Sequence, residues 1–201
     1  RFPDTLQRQW SHWFQVGLLA WQQEEQRSGE RQFHKAPVWN FVVPPMLGSQ
    51  MIQMGCLLPG RDSVGRQYPV CLQLSFAPSE WSTSLLSQAE SWYQQIGRLG
   101  LHAVRNSFSA SQLDEMLMTI PAPQPVEPQK RSDILDVIGY DEDGQNTLGW
   151  PQAAECFDPL RQTSYWWTNR CDGYPLYTHV HSGNFTGQLF TLLFDPARSE
   201  E

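Results

Sequence analysis

Between Met51 and Leu74 the chain reads MIQMGCLLPGRDSVGRQYPVCLQL, two apolar segments around a polar loop that holds Arg61, Asp62 and Arg66 together with Pro59, Gly60 and Gly65. A guanidinium group presents a planar fork of donors that suits carboxylates, so a loop carrying two of them is equipped to recognise an acidic or carboxylate-bearing surface. The same residues have a quieter use. Asp62 and Arg66, four apart, can pair with each other or with backbone groups and so fix a long turn. The two uses coexist: a rigid turn would present Arg61 at its tip to a partner.

Three catalytic arrangements can be drawn from the remaining residues, and each lacks a component. Gly60 to Gln67 has the G-x-x-x-x-G spacing of a phosphate-binding loop. Arg66, however, stands where Lys should reach the terminal phosphates, Gln67 stands where Ser or Thr should hold magnesium, and a strand follows in place of the helix whose N-terminus would cradle the anion. His179 and His181, at alternate positions of one strand with Cys171 nearby, could point two imidazoles at one ion, but no matched second pair of ligands is in view. Cys71, His102 and the His179 pair could supply a nucleophile and a base, yet nothing in the sequence places them together and no G-x-S-x-G elbow is present. The sequence therefore predicts no catalytic residue, no metal and no cofactor.

The elements that would hold the loop are legible from periodicity. Leu6, Trp10, Trp13, Phe14, Gly17 and Trp21 recur at helical spacing, behind an Asp4–Gln7 capping box, in a helix that becomes polar near Arg27 and Gly29. Such an aromatic stripe is expected to face the protein's own sheet. Val38 to Val43, Met51 to Leu58 and Tyr68 to Phe76 read as strands, with Pro44 and Pro45 ending the first. Ser79 or Ser82 can cap a second helix through Leu85, Leu86, Trp92, Tyr93 and Ile96 that ends at Gly97 or Gly100. A third, from Ser111 to Thr119, has Ser109 and Gln112 at capping-box spacing and Leu113, Met116, Leu117 and Ile120 as its face. PAPQPVEP, within residues 121–130, favours an extended connector between two halves. Asp133 to Tyr140 suits a short helix or a strand, and Asp141 to Gly144 a turn. Ser164 to Thr168 and Leu176 to His181 read as a second hairpin around Asp172 and Gly173, with Tyr177, His179 and His181 on one face. A short amphipathic helix from Gly183 to Phe194 closes the chain.

Composition narrows the partners. The 201 residues are 40% hydrophobic with nine Trp, enough for one domain with a substantial core. With 14 basic residues against 21 acidic ones and no basic block, nucleic acid is excluded as the main partner. No apolar run approaches the roughly 20 residues a membrane helix needs, and no signal peptide is visible. The four cysteines, Cys56, Cys71, Cys156 and Cys171, lack paired metal spacing and read as buried free thiols. Cys56 and Cys71, on the two hairpin strands, are placed so that they could face each other, and a cytoplasmic compartment would keep them reduced.

The hairpin also carries a resemblance. Pro37, Trp39 and Phe41 in APVWNF form a P-x-W-x-F segment, from whose usual form Asn40 departs. Downstream, Asp62, Val64, Gly65, Arg66, Tyr68 and Pro69 keep the D-x-V-G-R-x-aromatic-P core of a P-S-x-D-R-V-G-R-x-F-P-L-like run, from which Gly60 and Ser63 depart. In these features the chain resembles the TagF family, associated with bacterial type VI secretion. Ser164, Trp166 and Trp167 match an S-x-W-W pattern of that family, and Phe185 to Leu193 its closing aromatic and leucine run. The family's usual G-K-L-P and G-D-F opening would fall ahead of Arg1. The resemblance implies a single domain over residues 1–201, acting as a post-translational repressor of type VI secretion in the cytoplasm. Its implied partner is the forkhead-associated (FHA) scaffold protein, with a functional link to the serine/threonine phosphatase and kinase of that pathway. The fold expected is α/β in the broad sense (α+β): a largely antiparallel central sheet with the Trp-rich helix and the 79–97 helix packed on it. The competing class is a small cytoplasmic enzyme, nucleotide-binding or a Cys/His hydrolase. The residues expected to bind the partner are Arg61, Asp62 and Arg66.

Overall fold

The computed structural model of the chain describes residues 3–29, 32–46, 48–125, 148–169 and 176–196. The first helix, α1 (Asp4–Ser28), buries Leu6, Trp10, Trp13, Phe14, Gly17 and Trp21, the spacing of three or four residues placing all six on one side. Its start differs from the expected capping box. Pro3 is the N-cap residue and makes no side-chain cap, while Asp4 already lies in the first turn, where its charge complements the positive end of the helix dipole.

Among the described residues, five strands form one antiparallel sheet: β1 (Trp39–Val43), β2 (Ile52–Arg61), β3 (Gln67–Phe76), β4 (Thr163–Thr168) and β5 (Thr178–Ser182), in the order β3-β2-β1-β4-β5. The two hairpins meet at the centre, where Trp39 pairs with Thr168 and Phe41 with Trp166. There the buried Asn40 side chain donates to Asn169 Oδ1. Strand alternation sends neighbouring residues to opposite faces. Trp166 joins Trp10, Trp13, Phe41 and Leu57 under α1, whereas Trp167 joins Val42, Cys56, Leu58 and Tyr93 on the other side. Cys56 is thus in one core cluster and Cys71 is packed against the other. The register sets Cys56 beside Leu72 and Leu57 beside Cys71, so the two thiols do not face each other as the sequence allowed.

The second face is covered by α2 (Thr83–Ser87), capped by Ser82, and α3 (Glu90–Arg105). The single helix expected to stop at Gly97 or Gly100 is therefore two helices, and the second runs through both glycines. Gly100 is there for close approach: a Cβ at that position would stand 2.9 Å from Leu58 Cδ2. The capping box of Ser109 and Gln112 opens α4 (Ala110–Leu117) as expected, with Leu113, Leu117 and Ile120 packed on the core. Met116 instead points outward. Residues 121–125 carry no regular structure, and α5 (Pro151–Cys156) completes this layer. The readings of residues 126–130 of the connector, of Asp133 to Tyr140, of Asp141 to Gly144 and of the turn at Asp172 and Gly173 lie outside the described residues. The closing helix, α6 (Gly187–Leu193), begins later than expected because Thr186 caps it, accepting from the Leu189 amide. It packs against α1 at Gly17, where a Cβ would lie 2.2 Å from Phe190.

Candidate partner-binding loop and groove

The β2 and β3 strands are longer than expected, so the loop contracts to residues 62–66 and Arg61 ends β2, paired with Gln67, instead of standing at the tip. Asp62 organises what remains. Its Oδ1 accepts from the amides of Val64 (3.0 Å) and Arg66 (2.9 Å), and its Oδ2 from Arg66 Nε (2.8 Å). The backbone closes the same turn: Asp62 N donates to Arg66 O at 2.9 Å and Gly65 N to Asp62 O at 3.0 Å. Gly65 adopts a φ of 85°, the left-handed region that glycine enters freely. Arg61 Nη1 then donates to the Gly65 carbonyl at 2.8 Å, tying the strand end to the far side of the loop.

Partial desolvation acts to raise the Asp62 carboxyl, but the hydrogen bonds from the Arg66 main chain and side chain and from Val64, with the Arg66 charge, outweigh it and hold the group below the usual carboxylate range. Accessibility divides the ion pair unequally: the Asp62 side chain is 20% exposed and that of Arg66 80%. The carboxylate is consumed inside the turn while both arginines remain exposed at the surface. The structure thus brings Arg61, Asp62 and Arg66 together, with Asp62 as the organiser of the loop.

The loop forms one wall of a groove of about 790 Å³ whose other wall is the outer side of α1, with Gln15, Leu18, Leu19 and Gln22. Tyr68, at the base of the hairpin, meets Phe14 of α1 edge-on with ring centres 5.8 Å apart and sets the distance between the walls. Sequence reasoning missed this second wall because it followed the buried stripe of α1. The available signal was Leu19, an apolar residue off that stripe.

The other chemistry-bearing residues are dispersed. Cys71 is on the β3 edge of the sheet and His179 on the β5 edge, while His102 belongs to α3, on the face opposite Cys71's packing. The rings of His179 and His181 share one side of β5 with centres 6.4 Å apart, as alternation predicted, and His181 Nε2–H donates to the Asn184 carbonyl at 2.8 Å. Among the described residues no group of three or more His, Cys, Asp or Glu is placed to hold a metal ion. Burial pushes the Cys56 thiol up to about 12 despite a backbone hydrogen bond involving Leu72. Burial likewise raises Cys71. Cys156 is exposed, against the expectation of burial, and Cys171 lies outside the described residues.

Sheet, helical layers and loop define a mixed α/β protein in which a rigid hairpin tip projects beside a long aromatic helix. Residues 1–120 match the TagF N-terminal domain family, type VI secretion system-associated, and the chain belongs to that family. The fold is also that of PA0076 from Pseudomonas aeruginosa PAO1, known from a crystal structure, with a TM-score of 0.68 at 17% identity over 96% of this chain and 86% of that one. No curated protein matches the chain. Among the described residues no helix is long and apolar enough to cross a membrane.

Proposed function

We propose that the chain is a non-catalytic, cytoplasmic repressor of type VI secretion that acts after translation by binding another protein of the system, the FHA scaffold. The observation that carries this reading is the family match over residues 1–120, which sets the chain in type VI secretion. The Asp62-organised loop supports it: a turn held by its own hydrogen bonds presents Arg61 and Arg66 with little left to order on binding. In this reading Arg61 and Arg66 contact the partner and Asp62 holds them in place. The link to the kinase and phosphatase of the pathway runs through the scaffold. Residues 1–201 act as one domain, with 121–130 as the connector between its halves.

The test is the affinity of the purified chain for the FHA scaffold protein of the same system at two salt concentrations. Binding should weaken as screening rises and fall further in Arg61→Ala, whose melting curve stays that of the wild type. Absence of binding to the scaffold would remove it as the partner. Binding that is indifferent to salt and to Arg61 would move the contact away from the loop.

A further inference from the structure

The groove beside the hairpin joins an apolar strip to two cationic groups. Leu19 of α1 is 62% exposed and Leu18 is half-buried, while Gln15 and Gln22, about one turn away on either side, carry no charge. An apolar side chain can therefore settle on this helix without stripping water from a charge. Across the groove stand Arg61 and Arg66. Among the described residues that line it, Asp62 is the one acidic residue, and its carboxylate already accepts three hydrogen bonds within the loop. Arg66 is paired with Asp62 and Arg61 binds only a backbone carbonyl, so the groove is left net positive on a chain whose net charge is -7. An acidic segment is repelled by the chain as a whole and attracted here, a contrast that orients its approach.

We infer that this groove docks an acidic segment of a partner protein, with an apolar side chain on Leu18 and Leu19 and carboxylates on Arg61 and Arg66. The inference rests on the binding role proposed above and adds the chemistry of the partner's segment and the helix wall that completes the site. An apolar centre flanked by charged donors is the usual anatomy of such an interface.

A photo-crosslinking phenylalanine analogue in place of Leu19, introduced into the full chain in host cells, tests it. A second protein carries the analogue in place of Leu160, which is 92% exposed and does not line the groove. Irradiation should join position 19 to a partner segment rich in Asp, Glu and apolar residues, as mapped by mass spectrometry. Adding Arg61→Glu should cut the yield about tenfold, the scale of a lost charge-assisted hydrogen bond. No adduct from position 19, an adduct to a second copy of this chain or to a basic segment, or a yield indifferent to Arg61→Glu would overturn the inference. The name of the joined protein reports separately on the scaffold: an acidic segment of another protein keeps the groove and removes the scaffold, whereas scaffold captured only from position 160 does the reverse.

Discussion

Trp39 Nε1 donates to the carbonyl of Leu193 at 2.7 Å, so a residue of the first strand satisfies the last turn of α6. Trp21 does the same for Phe194 at 3.3 Å. The final carbonyls of a helix have no partner within it, and in a buried site each must find a donor elsewhere. Here two indoles supply them, which locks α6 against α1 and β1 and keeps the aromatic cluster under α1 in one arrangement.

Trp39→Phe keeps most of the buried ring but removes the donor, leaving the Leu193 carbonyl buried and unsatisfied. The expected loss is about 1–3 kcal/mol of stability with the fold retained. Denaturant titration measures it. Unchanged stability would mean that the carbonyl finds another donor and that the indole bond is incidental.

Trp13 is packed on Phe185, with ring centres 4.7 Å apart, and donates to the Thr186 carbonyl at 2.9 Å. Trp13→Ala should therefore cost about 3–5 kcal/mol, as for other large-to-small core changes. A thermal melt decides. A variant with wild-type stability that loses only partner binding would make the stripe an interface and contradict its place in the core.

Acid should loosen the loop before it unfolds the protein. Because the folded state holds Asp62 below its ordinary value of 3.8, the contribution of the carboxylate is present above that value and is lost as pH falls through the lower, folded one. Protection of the Val64 and Arg66 amides, referred to the intrinsic exchange rate at each pH, should hold above the ordinary value and fall as pH drops through the lower, folded one. Asp62→Ala should remove this protection at neutral pH, since both amides donate to Asp62 Oδ1. Protection that persists in Asp62→Ala would show that the side chain does not hold these amides.

Elements with a strong local pattern were legible in the sequence. The stripe from Leu6 to Trp21, the β2–β3 hairpin and the Ser109–Gln112 cap each carry a periodicity or a capping pair that few alternatives share. Helix ends were not. Gly97 and Gly100 look like stops because glycine weakens helices, yet at Gly100 the need for space beside Leu58 overrides propensity. The candidate loop was visible as a run of charge, but Arg61, expected at its tip, ends β2 because the strand continues past Pro59 and Gly60 to pair with Gln67. The role of Asp62 was only half legible: a pair four apart predicts an ion pair, but the amide bonds from Val64 and Arg66 depend on the left-handed turn at Gly65. The α1 wall of the groove was hidden because Leu18 and Leu19 acquire a partner surface only when Tyr68 packs on Phe14.

The proposed repression is measured most directly by the amount of protein released by the type VI system in the native host when the chain is absent, restored or overproduced. Release should rise without the chain and fall when it is overproduced. Arg61→Ala, at equal abundance and with a normal melting curve, should fail to restore repression. Release that is the same in all of these strains would contradict a repressor role.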